Sequence, residues 1–297
     1  MYMKNAPVRF ALWFVGLILG LTFLFRMSNN MVQTTAPLLG HDVLHMSNQE
    51  IGILASTFGG AVVLATFTIN SWVRCYQIER AIGIGFVLLA LTFPIYAFVN
   101  SFWELVIVFG LSGFASGIIQ PFLLTLITKY STVAQRDRSL ALYTLALSFS
   151  LILGPLLEAL VLQRDQDNLR VTFTLFTLIP VLGIILSGIS IFEGPRASSI
   201  SQPIPSPIKN RASIRTRLTD LSKNRTYLVA IIGNMTYVIP FVVIVTFGGV
   251  YAVRNSPSAM VPFSLFLQSS SLHHLLHVLR LPSFRQLSIK TKCYGSQ

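Results

Sequence analysis

The sequence predicts an all-α protein, a polytopic bundle of transmembrane helices. Of its 297 residues, 53% are hydrophobic and only 11% are charged, whereas soluble domains carry about a quarter charged residues. Apolar stretches of about 20 residues recur along the chain, which suits helices that cross a bilayer. Strands of a membrane barrel would instead be about 10 residues long with alternating polarity. The protein is therefore expected to lie within the lipid bilayer.

Seven stretches are long enough to cross the membrane. They cover residues 10–35, 51–70, 81–100, 103–128, 139–162, 171–192 and 227–252. The first stretch is longer than a bilayer requires, so its polar end from Ser28 to Thr35 either projects outside or faces a wet cavity. Its charged start is also typical of a secretory signal peptide. No small-residue cleavage site follows, and Arg26 opens a polar helical continuation, which favours a retained first helix.

The apolar pattern divides the chain into four parts. Residues 1–192 form a six-helix membrane bundle, and residues 193–226, rich in proline, serine and basic residues, form a cytoplasmic linker. Residues 227–252 form a seventh helix. Residues 253–297 form a non-membrane tail whose basic residues would lie outside the cell, against the usual distribution of positive charge. This tail is either an interrupted or out-of-frame reading, or a genuine soluble segment.

Loop charges predict the orientation in the cell membrane. Positive loops stay in the cytoplasm, and the loops on one side carry Lys4, Arg9, Arg74, Arg80, Lys129, Arg136 and Arg138, followed by the basic linker. The other side carries only Arg164 and Arg170, which share their loop with two aspartates. We therefore expect a multi-pass protein with a cytoplasmic N-terminus.

Several functional classes are excluded by composition and pattern. The net charge of +12 is scattered between apolar stretches, which argues against a nucleic-acid partner. Cys75 and Cys293 are the only cysteines, too few for a disulfide framework or a thiolate metal site. The sequence also lacks a recognisable nucleophile arrangement and a glycine-rich phosphate loop. We expect no enzyme activity, no metal and no cofactor.

One motif lies in the fifth stretch. Ser150 to Ala159 reads S-L-I-L-G-P-L-L-E-A, which resembles the fifth-helix antiporter motif G-x-x-x-G-P-x-x-G-G of the major facilitator superfamily. Gly154 and Pro155 match it, whereas Ser150, Glu158 and Ala159 stand where glycines are usual. A Gly-Pro pair removes a backbone donor and permits a helix bend. An ordinary kinked membrane helix explains the pair equally well.

Two other motifs of that family match less closely. The loop signature G-x-x-x-D-R-x-G-R-R corresponds to residues 71–80, where only Arg80 matches and Cys75 replaces the aspartate. Its gating contacts are therefore not carried over to this chain. Residues 109–117 keep the glycines of the fourth-helix pattern, and Gly113 with Gly117 form a small-xxx-small face that predicts close helix packing.

The layout of the chain resembles the N-terminal half of a major facilitator superfamily transporter plus the start of the C-terminal half, truncated or frameshifted. The resemblance implies two six-helix halves around a central cavity, and secondary active transport of a small-molecule substrate by alternating access. No ATP-binding cassette is visible, so an ion gradient, with protons as the coupling ion, would supply the energy. The alternatives are a transport-inactive remnant and a seven-helix membrane protein without transport activity.

Arg26 and Glu158 are the candidates for ion coupling or gating. Charges inside membrane spans are costly and usually face a cavity or a partner. Counting about 1.5 Å per residue from Phe10 and Leu140 places the two residues roughly 24 and 27 Å along their helices. The resemblance makes the first and fifth helices neighbours, so we expect the two residues to pair when the outer gate closes and Glu158 to exchange protons. The alternative is that Arg26 reaches the headgroups and Glu158 the outer interface.

Further polar residues in the spans are candidates for the substrate cavity. These are Asn30, Gln33, Gln120, Asn234 and Tyr237. Asn30 and Gln33 follow Arg26 on about the same side of the first helix, where they could bind a polar substrate. Helix packing is the competing interpretation for each of them.

Overall fold

The computed structural model describes residues 6–73, 77–131, 136–164 and 169–198, together with residues 228, 229, 232, 233, 235, 236, 243, 246 and 247. Within these residues the regular secondary structure is helical, and short turns connect the helices. The α-helices are α1 (Ala6–Leu38), α2 (Asn48–Trp72), α3 (Ile78–Tyr96), α4 (Phe102–Tyr130), α5 (Arg136–Arg164), α6 (Leu169–Phe176) and α7 (Leu178–Ser198). A π-helical turn, Leu39–Val43, extends α1.

Six of the predicted spans are confirmed as helices long and apolar enough to cross a membrane. They run over Trp13–Val43, Asn48–Ile69, Ile78–Tyr96, Phe102–Tyr130, Arg136–Glu158 and Leu169–Phe192. Large apolar side chains stand on the outer surface, including Phe67, Trp103 and Phe192 at 74, 70 and 81% exposure. Such a surface is unsuited to water, and the chain is a multi-pass membrane protein.

The sixth span consists of two helices, α6 and α7, that meet at Thr177. Pro180 lies just after this junction and has no backbone N–H, so it cannot donate to the carbonyl of Phe176 four residues earlier. The Thr177 amide donates to Phe173 O at 3.1 Å, and the Val181 amide donates to Thr177 O at 3.2 Å. The chain direction is therefore kept across the break.

Two serines define where α2 and α4 begin. Ser47 and Glu50 form a capping box at the start of α2, and the Ser101 hydroxyl accepts a hydrogen bond from the Glu104 amide at the start of α4. Each cap satisfies backbone amides that have no partner within the helix. Because both helices begin at the same end of the bundle, these caps place their first turns at the membrane surface.

Glycines on α4 allow close contact with α2. A Cβ atom on Gly113 would lie 2.6 Å from the Phe58 carbonyl oxygen, and one on Gly117 would lie 2.5 Å from the Val62 carbonyl oxygen. Thr66 adds a 3.3 Å hydrogen bond from its hydroxyl to Gly117 O. The predicted small-xxx-small packing is confirmed, and its partner is the backbone of α2.

α1 lies at the centre of the bundle, against α4, α5 and α7, whereas it makes few contacts with α2. At the end where α1 begins, Tyr130 of α4 packs edge-on against Phe14 of α1, with ring centroids 4.5 Å apart. The Tyr130 hydroxyl also donates a 2.8 Å hydrogen bond to Glu79 Oε1 of α3, and Lys129 Nζ lies 3.1 Å from the same oxygen. This polar cluster connects the ends of three helices.

The predicted seventh helix, residues 227–252, is described only at scattered positions, all of them helical. Phe247 packs against the apolar core and lies 4.0 Å from the position that a Cβ atom on Gly52 of α2 would take. The linker at 193–226 lies outside the described residues from position 199 onward, and the predicted tail at 253–297 lies outside them entirely.

Candidate functional site

Five of the polar residues of α1 point in three directions around the helix. At roughly 100° per residue, Arg26, Asn30 and Gln33 share one sector, Asn29 lies on one flank of it and Thr34 on the other. The flanks are identified by their contacts, since Asn29 faces α4 and Thr34 faces α5. The sector that holds Arg26, Asn30 and Gln33 therefore lies between the directions of α4 and α5.

Asn29 connects α1 to α4 near the middle of both helices. Its Oδ1 atom accepts a 2.8 Å hydrogen bond from the Ser116 hydroxyl, and both side chains are buried. The Ser116 hydroxyl is also within 2.8 Å of the Ser112 carbonyl oxygen on its own helix. Since buried polar groups are costly unless they are hydrogen-bonded, this contact holds α1 and α4 in one rotational register.

Glu158 connects α5 to α1 through two hydroxyl groups. Thr34 Oγ1 donates to Glu158 Oε2 at 2.6 Å, and Thr35 Oγ1 donates to Glu158 Oε1 at 2.7 Å. The Glu158 side chain is only 5% exposed. Each carboxylate oxygen therefore has a hydroxyl donor, and the group lies at the interface between the two helices rather than on the bundle surface.

Gly154 lies one turn before Glu158 and faces Asn30. A Cβ atom added to Gly154 would lie 3.7 Å from both Asn30 Cβ and the Met27 carbonyl oxygen. Asn30 is 7% exposed, and its Nδ2 atom has no hydrogen-bond partner among the described residues. A buried amide donor without a hydrogen-bond partner costs free energy. A further hydrogen-bond acceptor is therefore expected near Asn30 Nδ2.

Arg26 lies in the same sector, one turn before Asn30, and is half-buried. Thr34, which binds Glu158, is eight residues farther along α1, roughly 12 Å of helix rise. Glu158 and Arg26 therefore lie at different depths, although counting from the helix starts predicts similar depths. Pairing of the two residues remains a prediction for another conformation.

The other predicted site residues occupy different positions. Gln33 is half-buried in the sector of Arg26, and Gln120 is exposed on α4, one turn beyond Ser116. Asn234 and Tyr237 lie outside the described residues, as does the side chain of Pro155. The structure thus brings Asn30 next to Gly154, and Glu158 next to Thr34 and Thr35, whereas Arg26 lies one turn before Asn30 and Gln120 is exposed on α4.

Sequence reasoning missed Ser116 and Thr35 as contact residues. A weak signal was present, because Asn29-Asn30 and Thr34-Thr35 are adjacent polar pairs within an apolar helix. Neighbouring positions point about 100° apart, so Asn29 faces α4 while Asn30 faces Gly154 of α5, and Thr34 and Thr35 reach the two oxygens of Glu158 from adjacent directions.

Comparison with known proteins gives one family. The family model of the major facilitator superfamily matches residues 18–277 and so continues past residue 252. A search of curated proteins finds no significant match.

Among solved structures, the chain resembles a bacterial homologue of the human lysosomal transporter Spinster, with 12% identity, a TM-score of 0.65, and coverage of 89% of this chain and 60% of that one. It also resembles the peptide transporter POT in complex with sulfate, with 15% identity, a TM-score of 0.53, and coverage of 76% and 46%. A bacterial homologue of the human peptide transporters PepT1 and PepT2 matches with 13% identity, a TM-score of 0.52, and coverage of 95% and 57%. The chain thus spans about half the length of these transporters.

Proposed function

Because the chain belongs to the major facilitator superfamily, we propose that it acts in secondary active transport of a small solute. The solute would move by alternating access, in which two helical bundles rock around a binding site near the middle of the membrane. The described bundle supplies one of the two walls of that site. Lipids surround it, and the solute is its small-molecule partner.

The main support for this proposal is a set of polar side chains buried between α1, α4 and α5. Asn29, Asn30 and Glu158 are 3, 7 and 5% exposed and lie on membrane-spanning helices. Polar and ionisable residues in such positions are expensive and usually serve a transport pathway. A purely structural helix interface would reach the same packing with apolar side chains at lower cost.

Glu158 is our candidate for coupling transport to protons. An ionised carboxylate in an apolar surrounding is costly, and here its oxygens accept hydrogen bonds from Thr34 and Thr35 across the interface of α1 and α5. Any motion that separates these helices removes both donors. Binding and release of a proton at Glu158 would then depend on whether the interface is open, which is the link that coupled transport requires.

The loop charges support a cytoplasmic N-terminus in the cell membrane. α1, α3 and α5 would then begin on the cytoplasmic side, and the cluster of Glu79, Lys129 and Tyr130 would lie at the cytoplasmic surface. The Ser47 and Ser101 caps would lie at the external surface. Cys75 and Cys293 are first replaced by serine, and single cysteines introduced at Ser101 and Arg138 are then labelled with an impermeant reagent in intact cells: Ser101→Cys should react and Arg138→Cys should not.

Reconstitution tests the transport proposal. The purified full chain is placed in liposomes, a proton gradient is imposed, and uptake is measured for a mixture of radiolabelled organic acids, amino acids, peptides, sugars and amines. Saturable uptake that collapses when the gradient is dissipated supports proton-coupled transport. Uptake equal to that of protein-free liposomes for every solute would overturn it. That result would favour a membrane protein without transport activity, which the coverage of about half of each solved transporter also allows.

A further inference from the structure

We propose that Glu158 takes up its proton on Oε2, and that Thr34 is a positioning residue whose hydroxyl group reverses its hydrogen bond when the proton arrives. Thr35 keeps its direction and donates to Oε1 in both protonation states. The inference rests on the proposed role of Glu158 in proton coupling, and it names the oxygen and the two neighbours that this role uses.

The first argument is that the Thr34 hydroxyl has more than one acceptor within reach. Thr34 Oγ1 lies 2.6 Å from Glu158 Oε2, and also 3.1 Å from Asn30 O and 3.2 Å from Met31 O on its own helix. A hydroxyl group has one proton to donate and two lone pairs that accept. It therefore donates to Oε2 while the carboxylate is ionised, and it can turn to the carbonyl oxygens of α1 once Oε2 carries a proton of its own.

Thr35 is held in a different way. Within the described part of the chain, its hydroxyl bonds to Glu158 Oε1 at 2.7 Å and to no carbonyl oxygen of α1. The side chain is only 1% exposed, and a buried hydroxyl group without a partner is costly. Thr35 therefore stays a donor and Oε1 stays an acceptor, which leaves Oε2 as the oxygen that binds the proton.

The second argument is access. Thr35 is buried, whereas Thr34 is only half-buried. Oε2, which bonds to Thr34, therefore faces the less buried edge of the interface between α1 and α5, and Oε1 faces its interior. The shorter route from the bundle surface leads to Oε2, the same oxygen that the hydrogen-bond geometry selects.

The proton step leaves every group bonded. A proton from water binds to a lone pair of Oε2, and the new O–H group donates to Thr34 Oγ1 across the same 2.6 Å contact. The Thr34 hydroxyl keeps its own proton and rotates toward Asn30 O. No covalent bond of the protein breaks, and release of the proton runs the same changes backwards. Glu158, Thr34 and Thr35 are thus hydrogen-bonded before and after the step.

The other charged or titratable groups of the helices packed around Glu158 lie elsewhere. On α1, Arg26 is about two turns before Thr34, and His41 of the π-helical turn bonds to Asp42 at 2.6 Å. The remaining ones are Arg9 near the start of α1; Arg136, Asp137 and Arg138 at the start of α5, with Tyr143 farther along and Arg164 at its end; Glu104, Lys129 and Tyr130 at the ends of α4; and Arg170 of α6, which donates to Val99 O and Asn100 Oδ1. Within the described residues, Thr34 and Thr35 are the hydrogen-bond partners of Glu158.

Infrared difference spectroscopy on the full chain in lipid nanodiscs tests the inference without any solute. The C=O stretching band of protonated Glu158, assigned by its loss in Glu158→Gln, is followed as the pH is varied. Thr35→Val removes a donor that binds the ionised carboxylate more strongly than the neutral acid, so the proton affinity should change about five- to tenfold. Thr34→Val removes one hydrogen bond from each protonation state, so the proton affinity should change less than about threefold.

The frequency of the same band identifies the oxygen. A hydrogen bond to a carbonyl oxygen lowers its stretching frequency, and the proposal makes Oε1 the carbonyl oxygen of the protonated acid. Thr35→Val should therefore move the band to higher frequency by more than Thr34→Val does. The reverse order of the two variants, in frequency or in proton affinity, would overturn the proposal.

Controls separate the hydrogen bond from general effects on packing. Thr34→Ser keeps the hydroxyl group and should titrate like the unmodified chain. Thr144→Val removes a hydroxyl of α5 that bonds to Leu140 O of its own helix, and should leave both the frequency and the proton affinity unchanged. Circular dichroism shows whether each variant is folded, and an alanine variant takes the place of a valine variant that is not. A Thr144→Val effect as large as that of Thr35→Val would overturn the assignment.

Transport in liposomes distinguishes failure of this inference from failure of the proposed function. Gradient-driven uptake together with the reverse order of the two threonine variants would overturn the reversal at Thr34, while coupling through Glu158 stands. Gradient-driven uptake that persists in Glu158→Gln would overturn the coupling role, while the assignment of the proton to Oε2 stands on the spectra. A chain in which Glu158 shows no protonated band at any pH that keeps it folded would overturn both.

Discussion

The hydroxyl group of Thr35 on α1 donates a 2.7 Å hydrogen bond to Glu158 Oε1 on α5. One turn earlier, Gly154 contacts Asn30, and this pair has the same offset of 124 residues between the two helices as Thr34 and Glu158. α1 and α5 therefore run parallel, and the hydrogen bonds of the Glu158 carboxylate to Thr34 and Thr35 form only while the two helices are in contact. This relationship underlies the first prediction.

Replacing Glu158 by glutamine should abolish the response of uptake to a proton gradient while exchange of solute across the membrane persists. Glutamine has nearly the shape of glutamate and still accepts one threonine hydroxyl, but it cannot take up a proton near neutral pH. The measurement compares gradient-driven uptake with counterflow in liposomes. Glu104→Gln, at the exposed first turn of α4, is the matched control. Gradient-driven uptake that survives in Glu158→Gln would disprove the proton role.

Gly117→Ala should lower the free energy of unfolding by about 1–3 kcal/mol, because the new Cβ atom would overlap the backbone of α2. The contact at 2.5 Å is with the Val62 carbonyl oxygen, which cannot move without the helix. Thermal unfolding in detergent, followed by circular dichroism, measures the change.

The control is Gly188→Ala on α7, where an added Cβ atom meets nothing within 4 Å. Alanine is the better helix former, so this change should be neutral or stabilising by about 0.5–1 kcal/mol. Equal destabilisation at both positions would show that close approach of α2 and α4 is not the reason for Gly117.

Ser116→Ala should destabilise the bundle by about 1–3 kcal/mol, since it leaves the buried Asn29 Oδ1 without its donor. Ser56→Ala on the exposed face of α2 removes a hydroxyl that bonds to Gly52 O of its own helix, and should change stability by less than about 0.5 kcal/mol. A double-mutant cycle with Asn29→Ala isolates the pairwise energy. Additive effects in the cycle would contradict the hydrogen bond between α1 and α4.

Tyr130→Phe should destabilise the bundle by about 1–3 kcal/mol, because Glu79 loses a 2.8 Å donor while it stays buried. The aromatic contact with Phe14 is kept, so the change isolates the hydroxyl group. In the background of Glu79→Gln the same substitution should cost less, since a neutral acceptor binds the hydroxyl more weakly. Unfolding midpoints of the four proteins test this, and an unchanged cost in both backgrounds would exclude the interaction with Glu79.

The sequence predicted the helical spans well because span length and apolar composition are local properties. Five predicted spans match helices of the structure within four residues at each end, whereas the first, predicted as 10–35, continues to Val43. The spacing of Gly113 and Gly117 predicted close packing. The break at Thr177 was not predicted, although Pro180 was visible. A proline near the middle of a membrane span can be absorbed by a bend, and sequence alone does not distinguish a bend from a break.

The candidate site was predicted only in part. Arg26, Asn30 and Glu158 were identified as unusual because charged and amide groups are costly in a membrane. The relative depths of Arg26 and Glu158 in the membrane were predicted incorrectly, because counting residues from each helix start assumes that all helices start at the same depth. Packing between α1 and α5 decides the register instead, and it places Glu158 beside Thr34.

The sequence by itself determined that this is an all-helical membrane protein, which helices span the bilayer, and which residues are too polar to lie there without a reason. These conclusions need only composition, period and length, since the bilayer imposes the same requirements on every helix. The tertiary structure alone decided which polar groups meet: Ser116 with Asn29, Thr34 and Thr35 with Glu158, and Asn30 opposite Gly154. Such contacts depend on the rotation and register of each helix against its neighbours, and these are set by side-chain packing across the whole bundle.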